Sequence, residues 1–347
     1  MQHCNRYPQM TIQDLVKLLF QSEFAGGHMI SSEQASLQRL QQECRLLSPA
    51  ETQIPMFEDI GNRLCRLHLM PLSQSRINLE TVNRFFVNTA RTRQGQVSRF
   101  EAKLELLRDC CREGLLPFSL PSVDDYLRNY REEGYPAVSH SLIYRETYRP
   151  AYRVVGAEYR DFFPLFSQLD QLLQQGRDSV TVAIDGHSGA GKSTLAAQLK
   201  GVYDCNVFHM DDFFLPPQLR TRERLAEAGG NVHYERFRDQ IIAGISAGRE
   251  FSYQPYDCRQ GGLKSAIPVT PTRLNVVEGV YSLHPALFGS YQLRVFLTID
   301  RERQLQRIAA RSGAAMLQRF IQEWIPLEDY YFQQLQIAEQ CDLVFAQ

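Results

Sequence analysis

The sequence predicts a mostly α-helical N-terminal domain over residues 1–152, followed by an α/β domain with a mainly parallel sheet over residues 153–347. Three observations support this prediction. Before residue 152, apolar residues recur at helical spacing behind helix-capping motifs. After it, short apolar runs alternate with helical patterns, which is typical of a parallel sheet whose strands are joined by helices. The length of 347 residues also suits two domains.

The composition is that of an ordinary globular protein, with 44% hydrophobic and 22% charged residues. The 38 basic and 39 acidic residues nearly cancel, so no overall positive field attracts nucleic acid or an anionic membrane. No apolar run approaches the roughly 20 residues that span a bilayer, and the first residues lack the apolar core of a signal peptide. We therefore expect a cytoplasmic protein without nucleic-acid or membrane partners, and the sequence leaves homo-oligomerisation open.

The cysteines and isolated histidines form no recognisable metal motif. None of the eight cysteines belongs to a C-x-x-C pair, and the only close pair, Cys110 and Cys111, is adjacent. We expect free thiols in a reducing compartment. His28, His68 and His140 have no ligand partners nearby in the sequence, so each is expected to be a packed or capping residue.

The N-terminal part contains several helical patterns. A capping box at residues 11–14 opens the first helix, and Gly26 with Gly27 ends it. Further helices are predicted behind a cap at 31–34, over 81–90, over 97–107, and from a cap at 122–125 to Gly134. No phosphate-binding loop, metal spacing or nucleophile motif occurs here, so this part of the sequence predicts no function.

Near the boundary, Tyr144, Tyr148 and Tyr152 recur every four residues, and each is followed by arginine. Aromatic residues interleaved with basic ones can bind single-stranded nucleic acid. The alternative is a segment whose rings pack in the protein and whose guanidinium groups pair with local acids. Pro150 interrupts the repeat and the net charge is only -1, so we favour packing.

Five apolar segments of the second part are predicted as strands. They lie at residues 180–184, 206–210, 274–277, 293–299 and 343–346. Helical patterns occur between them, for example at 234–247 and 301–311. This alternation is the basis for predicting a parallel sheet.

The most specific motif follows the first strand: Gly-His-Ser-Gly-Ala-Gly-Lys-Ser at residues 186–193, called the phosphate loop below. It matches G-x-x-x-x-G-K-[ST] at every fixed position, and a helical pattern follows it. The glycines let backbone N–H groups point at phosphate oxygens, Lys192 supplies a charge for the β- and γ-phosphates, and Ser193 can ligate Mg²⁺. The predicted nucleotide-binding residues are Gly186, His187, Ser188, Gly189, Ala190, Gly191, Lys192, Ser193 and Thr194. The α/β domain is therefore expected to have the three-layer P-loop NTPase fold.

A phosphate loop indicates nucleotide binding but leaves three protein classes: a small-molecule kinase, a GTPase switch, and a mechanical or transport ATPase. Guanine recognition in GTPases usually needs N-K-x-D, and no lysine of this chain follows an asparagine. The L-S-G-G-Q signature of transporter ATPases is absent, as is a second phosphate loop. The kinase interpretation is favoured, with ATP as the nucleotide.

A kinase needs an acidic group near the acceptor hydroxyl. Asp211 and Asp212 follow the second predicted strand, and Glu278 follows the third. Because the carboxyl ends of parallel strands converge on one crevice, these carboxylates should lie beside the phosphate loop. Asp211 or Asp212 can accept the acceptor's proton while the other holds water on Mg²⁺, and Glu278 can hold metal-bound water. The alternatives are acids that cap a turn and an isolated surface glutamate.

Arginines after the fourth strand can complete such a site. Arg307 and Arg311 are four residues apart, so they share one helix face. They can close over the nucleotide and neutralise charge during phosphoryl transfer. The alternative is a solvated basic face.

Residues 178–347 resemble the group formed by uridine kinase, phosphoribulokinase and bacterial pantothenate kinase. Five features occur in the family's order: the phosphate loop, Asp-Asp-Phe-Phe at 211–214, Asn-Val-His-Tyr-Glu-Arg-Phe at 231–237, Pro-Tyr-Asp at 255–257, and Glu278-Gly279 with an arginine-bearing lid after Asp300. The resemblance implies an ATP- and Mg²⁺-dependent phosphotransferase. In it Asp211 would be the base and Glu278, with Ser193, would lie on the metal side.

The resemblance also implies an acceptor pocket and a lid. Phe213, Phe214 and Tyr256 would wall the pocket, and Arg307 and Arg311 would be lid arginines. The expected substrate-binding residues are Asp212, Phe213, Phe214, His233, Tyr256, Asp257 and Arg259, with Trp324 as a further candidate.

Two departures from the family weaken the uridine assignment. His233 stands where a nucleoside kinase uses an aspartate to hold ribose hydroxyls, and no histidine follows Pro-Tyr-Asp to read the pyrimidine. The sequence therefore predicts a kinase that phosphorylates a hydroxyl of a small molecule other than uridine. The alternatives are a nucleotide-binding regulatory protein with little turnover and a true uridine or cytidine kinase.

Overall fold

The computed structural model describes residues 2–47, 54–258 and 260–347. The chain forms two compact units, Met1–Ser167 and Gln168–Gln347. The sequence analysis placed the boundary after residue 152, whereas the segment that begins there, Tyr152–Gly156, is a strand paired within the first unit.

The first unit combines helices with a small antiparallel sheet. Its helices are α1 (Gln2–Arg6), α2 (Ile12–Phe24), α3 (Glu33–Arg45), α4 (Leu69–Leu72), α5 (Leu79–Thr92), α6 (Val97–Arg112), α7 (Leu120–Glu132), α8 (Leu142–Tyr148) and α9 (Ala157–Asp161), with a 3₁₀ turn at Gly27–Met29. Helix α10 (Phe163–Gln174) runs across the boundary between the units. The strands β1 (Phe57–Gly61), β2 (Leu64–His68) and β3 (Tyr152–Gly156) pair in that order.

The helices predicted for this unit are confirmed, apart from one cap. The capping box of α2 forms as expected, because Asp14 accepts hydrogen bonds from the backbone and hydroxyl of Thr11. Helix α7 begins earlier than predicted. Its cap is Ser119, whose hydroxyl accepts from the backbone N–H of Ser122, so the expected cap at 122–125 is wrong.

The three strands of this unit escaped sequence-based prediction. All five residues of β2 are buried, including Arg66 and His68, so the apolar–polar alternation of a half-buried strand is missing. Arg66 is satisfied inside the unit by hydrogen bonds to Gln21 Oε1 at 3.0 and 3.2 Å and to Glu58 at 3.4 Å. Polar residues that pair with each other in the interior conceal a strand from pattern analysis.

The tyrosine–arginine repeat packs within the first unit. Tyr144 stacks on His140 with ring centroids 4.1 Å apart, and the Tyr152 hydroxyl lies 2.6 Å from His140 Nε2. Arg153 is buried and pairs with Glu43 at 2.7 Å. The packing interpretation is confirmed for these three members of the repeat.

The second unit is built on a parallel sheet. Its strands are β4 (Val180–Gly186), β5 (Cys205–His209), β6 (Phe251–Tyr253), β7 (Tyr256–Asp257), β8 (Gly262–Leu263), β9 (Ile267–Val269), β10 (Leu274–Glu278), β11 (Leu293–Thr298) and β12 (Leu343–Ala346). Five of them form the parallel sheet in the order β12-β11-β4-β10-β5. The short strands form two antiparallel pairs, β6 with β9 and β7 with β8.

Helices flank this sheet, which confirms the predicted α/β fold class. They are α11 (Lys192–Val202), α12 (Arg222–Ala226), α13 (Tyr234–Phe237), α14 (Ala243–Ala247), α15 (Arg301–Arg319) and α16 (Ile325–Leu335). Single turns of π-helix at Arg238–Ile242 and Phe320–Trp324 and 3₁₀ turns at Met210–Phe213, Pro217–Leu219, Phe288–Ser290 and Ala338–Gln340 complete the unit.

The sheet register sets the position of the candidate site. Every residue of β4 and β10 is buried, so the middle of the sheet is the rigid core of the unit. Glu278 at the end of β10 is aligned with Ile184 of β4 and His209 of β5. The carboxyl ends of the three strands therefore lie side by side, where parallel sheets of this kind bind ligands.

Within the described part of the chain, no helix is long and apolar enough to cross a membrane. All eight cysteines lie in that part, and none is bonded to another.

Candidate active site

The phosphate loop connects β4 to α11 through three glycines with left-handed backbone. Gly186, Gly189 and Gly191 have φ values of 134°, 80° and 97°. At Gly186 a Cβ atom would lie 2.1 Å from the carbonyl oxygen of Leu297, so no other residue fits there without moving β11. The strand–loop–helix context predicted from the motif is present.

Lys192 is held inside the phosphate loop. Its Nζ donates hydrogen bonds to the carbonyl oxygens of Gly186 at 2.8 Å and His187 at 3.0 Å. The side chain is buried, so the ammonium group is fixed at the start of α11 instead of extending into solvent. A positive charge is thus placed against two carbonyl oxygens of the loop.

The two residues predicted to lie on the metal side are in contact. Ser193 donates from Oγ to Glu278 Oε1 over 3.0 Å, joining the start of α11 to the end of β10. His209, which the sequence analysis did not select, donates from Nδ1 to the same oxygen over 2.5 Å. The hydrogen bond to Glu278 is the main reason that the pKa of His209 is raised. Its only sequence signal was its place at a strand end, two residues before Asp211.

Asp211 and Asp212 lie in the 3₁₀ turn that follows β5. Asp211 is exposed to solvent, but nearby protein atoms remove part of the water around its carboxyl group. This partial loss of water raises its pKa, and the Glu278 carboxylate adds to the effect while Lys192 opposes it. Asp212 is half-buried, and desolvation raises its pKa as well.

Asp185, immediately before the phosphate loop, organises the loop from inside the core and was missed at the sequence level. Its Oδ1 accepts from the backbone N–H groups of Gly186 at 2.7 Å and Tyr281 at 3.2 Å. Its Oδ2 accepts from Leu283 N at 2.9 Å and from the Tyr331 hydroxyl at 3.0 Å. Burial raises the pKa of this carboxyl to about 6, against the opposing effect of these hydrogen bonds.

A second missed carboxylate, Glu328 of α16, contacts the loop directly. Its Oε2 accepts from Ser188 N at 2.9 Å, and its Oε1 accepts from the Ser188 hydroxyl. Burial raises the pKa of Glu328, and the Lys192 charge opposes that rise. No local motif marks this residue, because it lies 140 positions from Ser188.

The structure brings one of the two predicted lid arginines to the phosphate loop. Arg307 Nη1 donates to the carbonyl oxygen of Gly189 over 3.2 Å. Arg311 instead lies over the Phe320 ring at 5.8 Å and hydrogen-bonds to Ser312. The role of Arg311 at the nucleotide stays a prediction. Helix α15 is broken at Gly313, where φ is 79° and ψ is 170°.

Two of the aromatic residues expected to wall the acceptor pocket are core residues. Phe213 is fully buried and packs against Phe237 with ring centroids 4.9 Å apart, so it does not line an open pocket. Tyr256 is only 7% exposed, in the short strand β7. Phe214 is partly buried and bridges Val232 in an isolated β-bridge.

His233 is fixed through its backbone at the start of helix α13. Its N–H donates to the carbonyl oxygen of Phe213 over 2.7 Å, and its own carbonyl oxygen accepts from Phe237 N at 3.0 Å. The half-buried imidazole has a lowered pKa, mainly because burial disfavours its charged form. The residue therefore lies directly beside the turn that carries Asp211 and Asp212.

The remaining residues that the sequence analysis expected in the acceptor pocket are Asp257, Arg259 and Trp324. Asp257 pairs with Lys264 at 3.7 Å, and Arg259 lies outside the described residues. Trp324 packs on Phe320 with ring centroids 4.5 Å apart, in a small apolar cluster with residues of α15. Its ring is thus part of the packing of the C-terminal helices.

The donor set suits a nucleotide with Mg²⁺. The glycines leave the loop backbone open to a close approach, and Lys192 and the start of α11 supply positive charge. Among the described residues no group of three His, Cys, Asp or Glu side chains forms a metal cluster. Mg²⁺ in sites of this type is held by one or two protein oxygens together with phosphate oxygens. Ser193 and Glu278 can provide the protein oxygens.

Comparison with known proteins gives distant likenesses. No family model matches the chain. A candidate uridine kinase from Bacillus stearothermophilus is 21% identical, with 52% of this chain and 99% of that chain covered and a TM-score of 0.39. A candidate fructose transport system kinase from a Silicibacter species is 19% identical, with 48% and 89% covered and a TM-score of 0.37. Scores this low do not establish a shared activity.

Proposed function

We propose that the chain is an ATP-dependent kinase that transfers the γ-phosphoryl group to a hydroxyl of a small molecule. The observation that carries this proposal is the Ser193–Glu278 contact at the end of the phosphate loop, with Asp211 just after the neighbouring strand end. A phosphate loop alone suits any nucleotide-binding protein. The added carboxylate is that of Asp211, which is exposed to solvent at the same edge of the sheet. A kinase needs such a group to accept the proton of the acceptor hydroxyl.

The phosphate loop and the residues beside it supply the groups that would bind the nucleotide. The N–H groups of the loop and the Lys192 ammonium would bind the phosphates, and Ser193 and Glu278 would hold Mg²⁺. When bound, Mg²⁺ neutralises charge on the phosphates during transfer. Arg307, bonded to the Gly189 carbonyl, is within reach of the same charge.

Asp211 is the proposed base. It would accept the proton of the acceptor hydroxyl as that oxygen bonds to the γ-phosphorus, while the bond from this phosphorus to the β,γ-bridging oxygen breaks and ADP leaves. Its raised pKa supports this role, because a carboxylate that binds a proton more readily is a better base. Asp212, whose backbone carbonyl accepts from Arg236 at 2.8 Å, would hold the turn and the acceptor beside it.

The acceptor is proposed to be a hydroxylated metabolite other than a pyrimidine nucleoside. His233 replaces the acid that would hold ribose hydroxyls, and Cys258 follows Asp257 where a base-reading histidine is expected. The first set of acceptors to test therefore consists of sugars, sugar acids and vitamin-like alcohols, with nucleosides as the comparison.

The test is ATP turnover by the full chain with and without mixtures of acceptors. A kinase consumes ATP only when its acceptor is present, whereas a regulatory nucleotide-binding protein has the same slow turnover in every mixture. A melting screen with a non-hydrolysable ATP analogue narrows the choice, since a ligand at about 100 times its dissociation constant adds about 2.7 kcal/mol of stability. Turnover that no acceptor mixture stimulates would contradict the proposal.

A further inference from the structure

Glu328 is a buried carboxylate that contacts the phosphate loop and has no part in the proposed transfer. Only 4% of the residue is exposed. Both of its oxygens are occupied by one residue, since Ser188 donates from its backbone N–H at 2.9 Å and also from its hydroxyl. A negative group therefore stands beside a loop whose other features attract negative charge.

Helix α16 reaches the phosphate loop at two further points. Tyr331 donates to Asp185 at 3.0 Å, and the Phe332 ring lies 4.9 Å from the His187 ring. Three parts of the strand end and loop, at residues 185, 187 and 188, thus rest on one helix. The Glu328 contact differs from the other two because it brings a carboxylate of α16 against a residue of the phosphate loop.

The positive charge of Lys192 acts on the Glu328 carboxylate. The Lys192 charge opposes the rise in the pKa of Glu328, so the two groups interact across the loop. The Lys192 ammonium is itself hydrogen-bonded only to the carbonyl oxygens of Gly186 and His187 among the described residues. A nucleotide adds several negative charges to this balance, and like charges in a partly desolvated site repel one another.

We propose that Glu328 is a positioning residue of the phosphate loop that also lowers its affinity for the terminal phosphate of a nucleotide. Its hydrogen bonds fix Ser188, and its charge acts against each phosphate that enters the loop. The inference rests on the proposed function only in that the loop must bind nucleotide phosphates. Because a triphosphate brings more charge than a diphosphate, the effect of Glu328 is larger for the triphosphate.

The variant Glu328→Gln removes the charge of residue 328 while keeping its position beside Ser188. Glutamine has nearly the same shape and can still accept from the Ser188 N–H, but it carries no charge. We expect it to bind the non-hydrolysable ATP analogue adenylyl imidodiphosphate roughly three- to tenfold more tightly than the wild type does, with a smaller gain for ADP. Calorimetric titration of the full chain with both nucleotides, without acceptor, measures the two gains.

The matched control is Glu323→Gln, which removes the same charge at an exposed residue paired with Arg319 at 3.1 Å. It should leave both affinities unchanged. Glu328→Ala is the second variant, used if the glutamine variant has a much lower melting temperature; it also lacks the charge, so its ratio of triphosphate to diphosphate affinity should rise too. A purely structural role would change both affinities by one factor.

Equal changes for the two nucleotides, or no change, would overturn the role of the Glu328 charge while leaving the kinase proposal intact. A wild-type chain that binds neither nucleotide would overturn the proposed function itself, and this inference with it. The two failures are therefore distinguishable in one set of titrations.

Discussion

Tyr331 donates a hydrogen bond to the buried carboxylate of Asp185 over 3.0 Å, although 146 positions separate the two residues. Asp185 also accepts from three backbone N–H groups, two of which belong to the segment after β10. One side chain thus joins the strand before the phosphate loop, the segment after Glu278 and the C-terminal helix α16. The position of the loop depends on this carboxylate as well as on its own glycines.

Replacement of Asp185 by asparagine should disturb the phosphate loop. The amide NH₂ of asparagine would face two of the four donors, and each buried donor left without an acceptor costs about 1–3 kcal/mol. We expect a lower melting temperature and weaker nucleotide binding, measured by thermal unfolding and calorimetry. Asp204→Asn, at an exposed position before β5, is the control. Unchanged nucleotide affinity in Asp185→Asn would show that the loop does not depend on this carboxylate.

Asp211→Asn should nearly stop transfer without preventing ATP binding. The substitution keeps the shape of the side chain and removes the base, which typically contributes ~10²–10⁴ in rate. Steady-state kinetics and nucleotide titration measure the two properties. Asp212→Asn is the matched comparison in the next residue. If it loses turnover and Asp211→Asn does not, the roles of the two acids are reversed.

Uridine and cytidine should be poor substrates. A site built to hydrogen-bond a group can reject analogues that lack it by ~10⁴–10⁵, whereas a site without the partners cannot select for that group. His233 and Cys258 remove two such partners, one for the ribose and one for the base. Steady-state comparison of nucleosides, sugars, sugar acids and vitamin-like alcohols tests this. A kcat/KM for uridine of ~10⁴ M⁻¹s⁻¹ or above would contradict the prediction.

The stability of the first unit should depend on Glu58 only above acidic pH. Burial favours the neutral form of Glu58, but His68, whose Nε2 lies 3.6 Å from Glu58 Oε2, and the charges of Arg66 and His3 outweigh it and lower the pKa of Glu58 from 4.5 to about 2. A depressed pKa stabilises the fold above the unfolded value, by up to about 3 kcal/mol here, and this contribution disappears as the pH falls from 4.5 to about 2.

Urea unfolding of the full chain and of Glu58→Gln measures this contribution. The difference between their midpoints should be largest above pH 4.5 and should narrow toward pH 2. Glu113→Gln, at an exposed helix end, controls for the loss of a surface charge. A difference that stays constant across this range would show that the Glu58 charge is not what stabilises the unit.

Local patterns predicted the parts of the site that depend on short segments. The phosphate loop was recognisable because its spacing is fixed by backbone geometry, and the Ser193–Glu278 contact follows from the convergence of parallel strand ends. Asp185 and Glu328 could not be found in this way. Their partners lie up to 146 positions away, so only the tertiary structure reveals them.

The errors also have physical causes. The family resemblance placed Phe213 in the wall of the acceptor pocket, whereas in this structure the 3₁₀ turn buries its ring against Phe237. The antiparallel sheet of the first unit escaped prediction because buried Arg66 and His68 interrupt the apolar pattern of β2. In both cases contacts with residues elsewhere in the chain determine the local structure, and the local sequence pattern does not reveal those contacts.

The most direct test of the kinase proposal follows the γ-phosphate of radiolabelled ATP in reactions of the full chain and of Lys192→Ala with the acceptor mixtures. Lys192 carries the charge at the centre of the loop, so its loss should reduce transfer to below about a tenth while the fold persists in thermal unfolding. We predict that the wild type moves the label to a small organic molecule. Label released only as inorganic phosphate, or moved equally well by Lys192→Ala, would contradict the account.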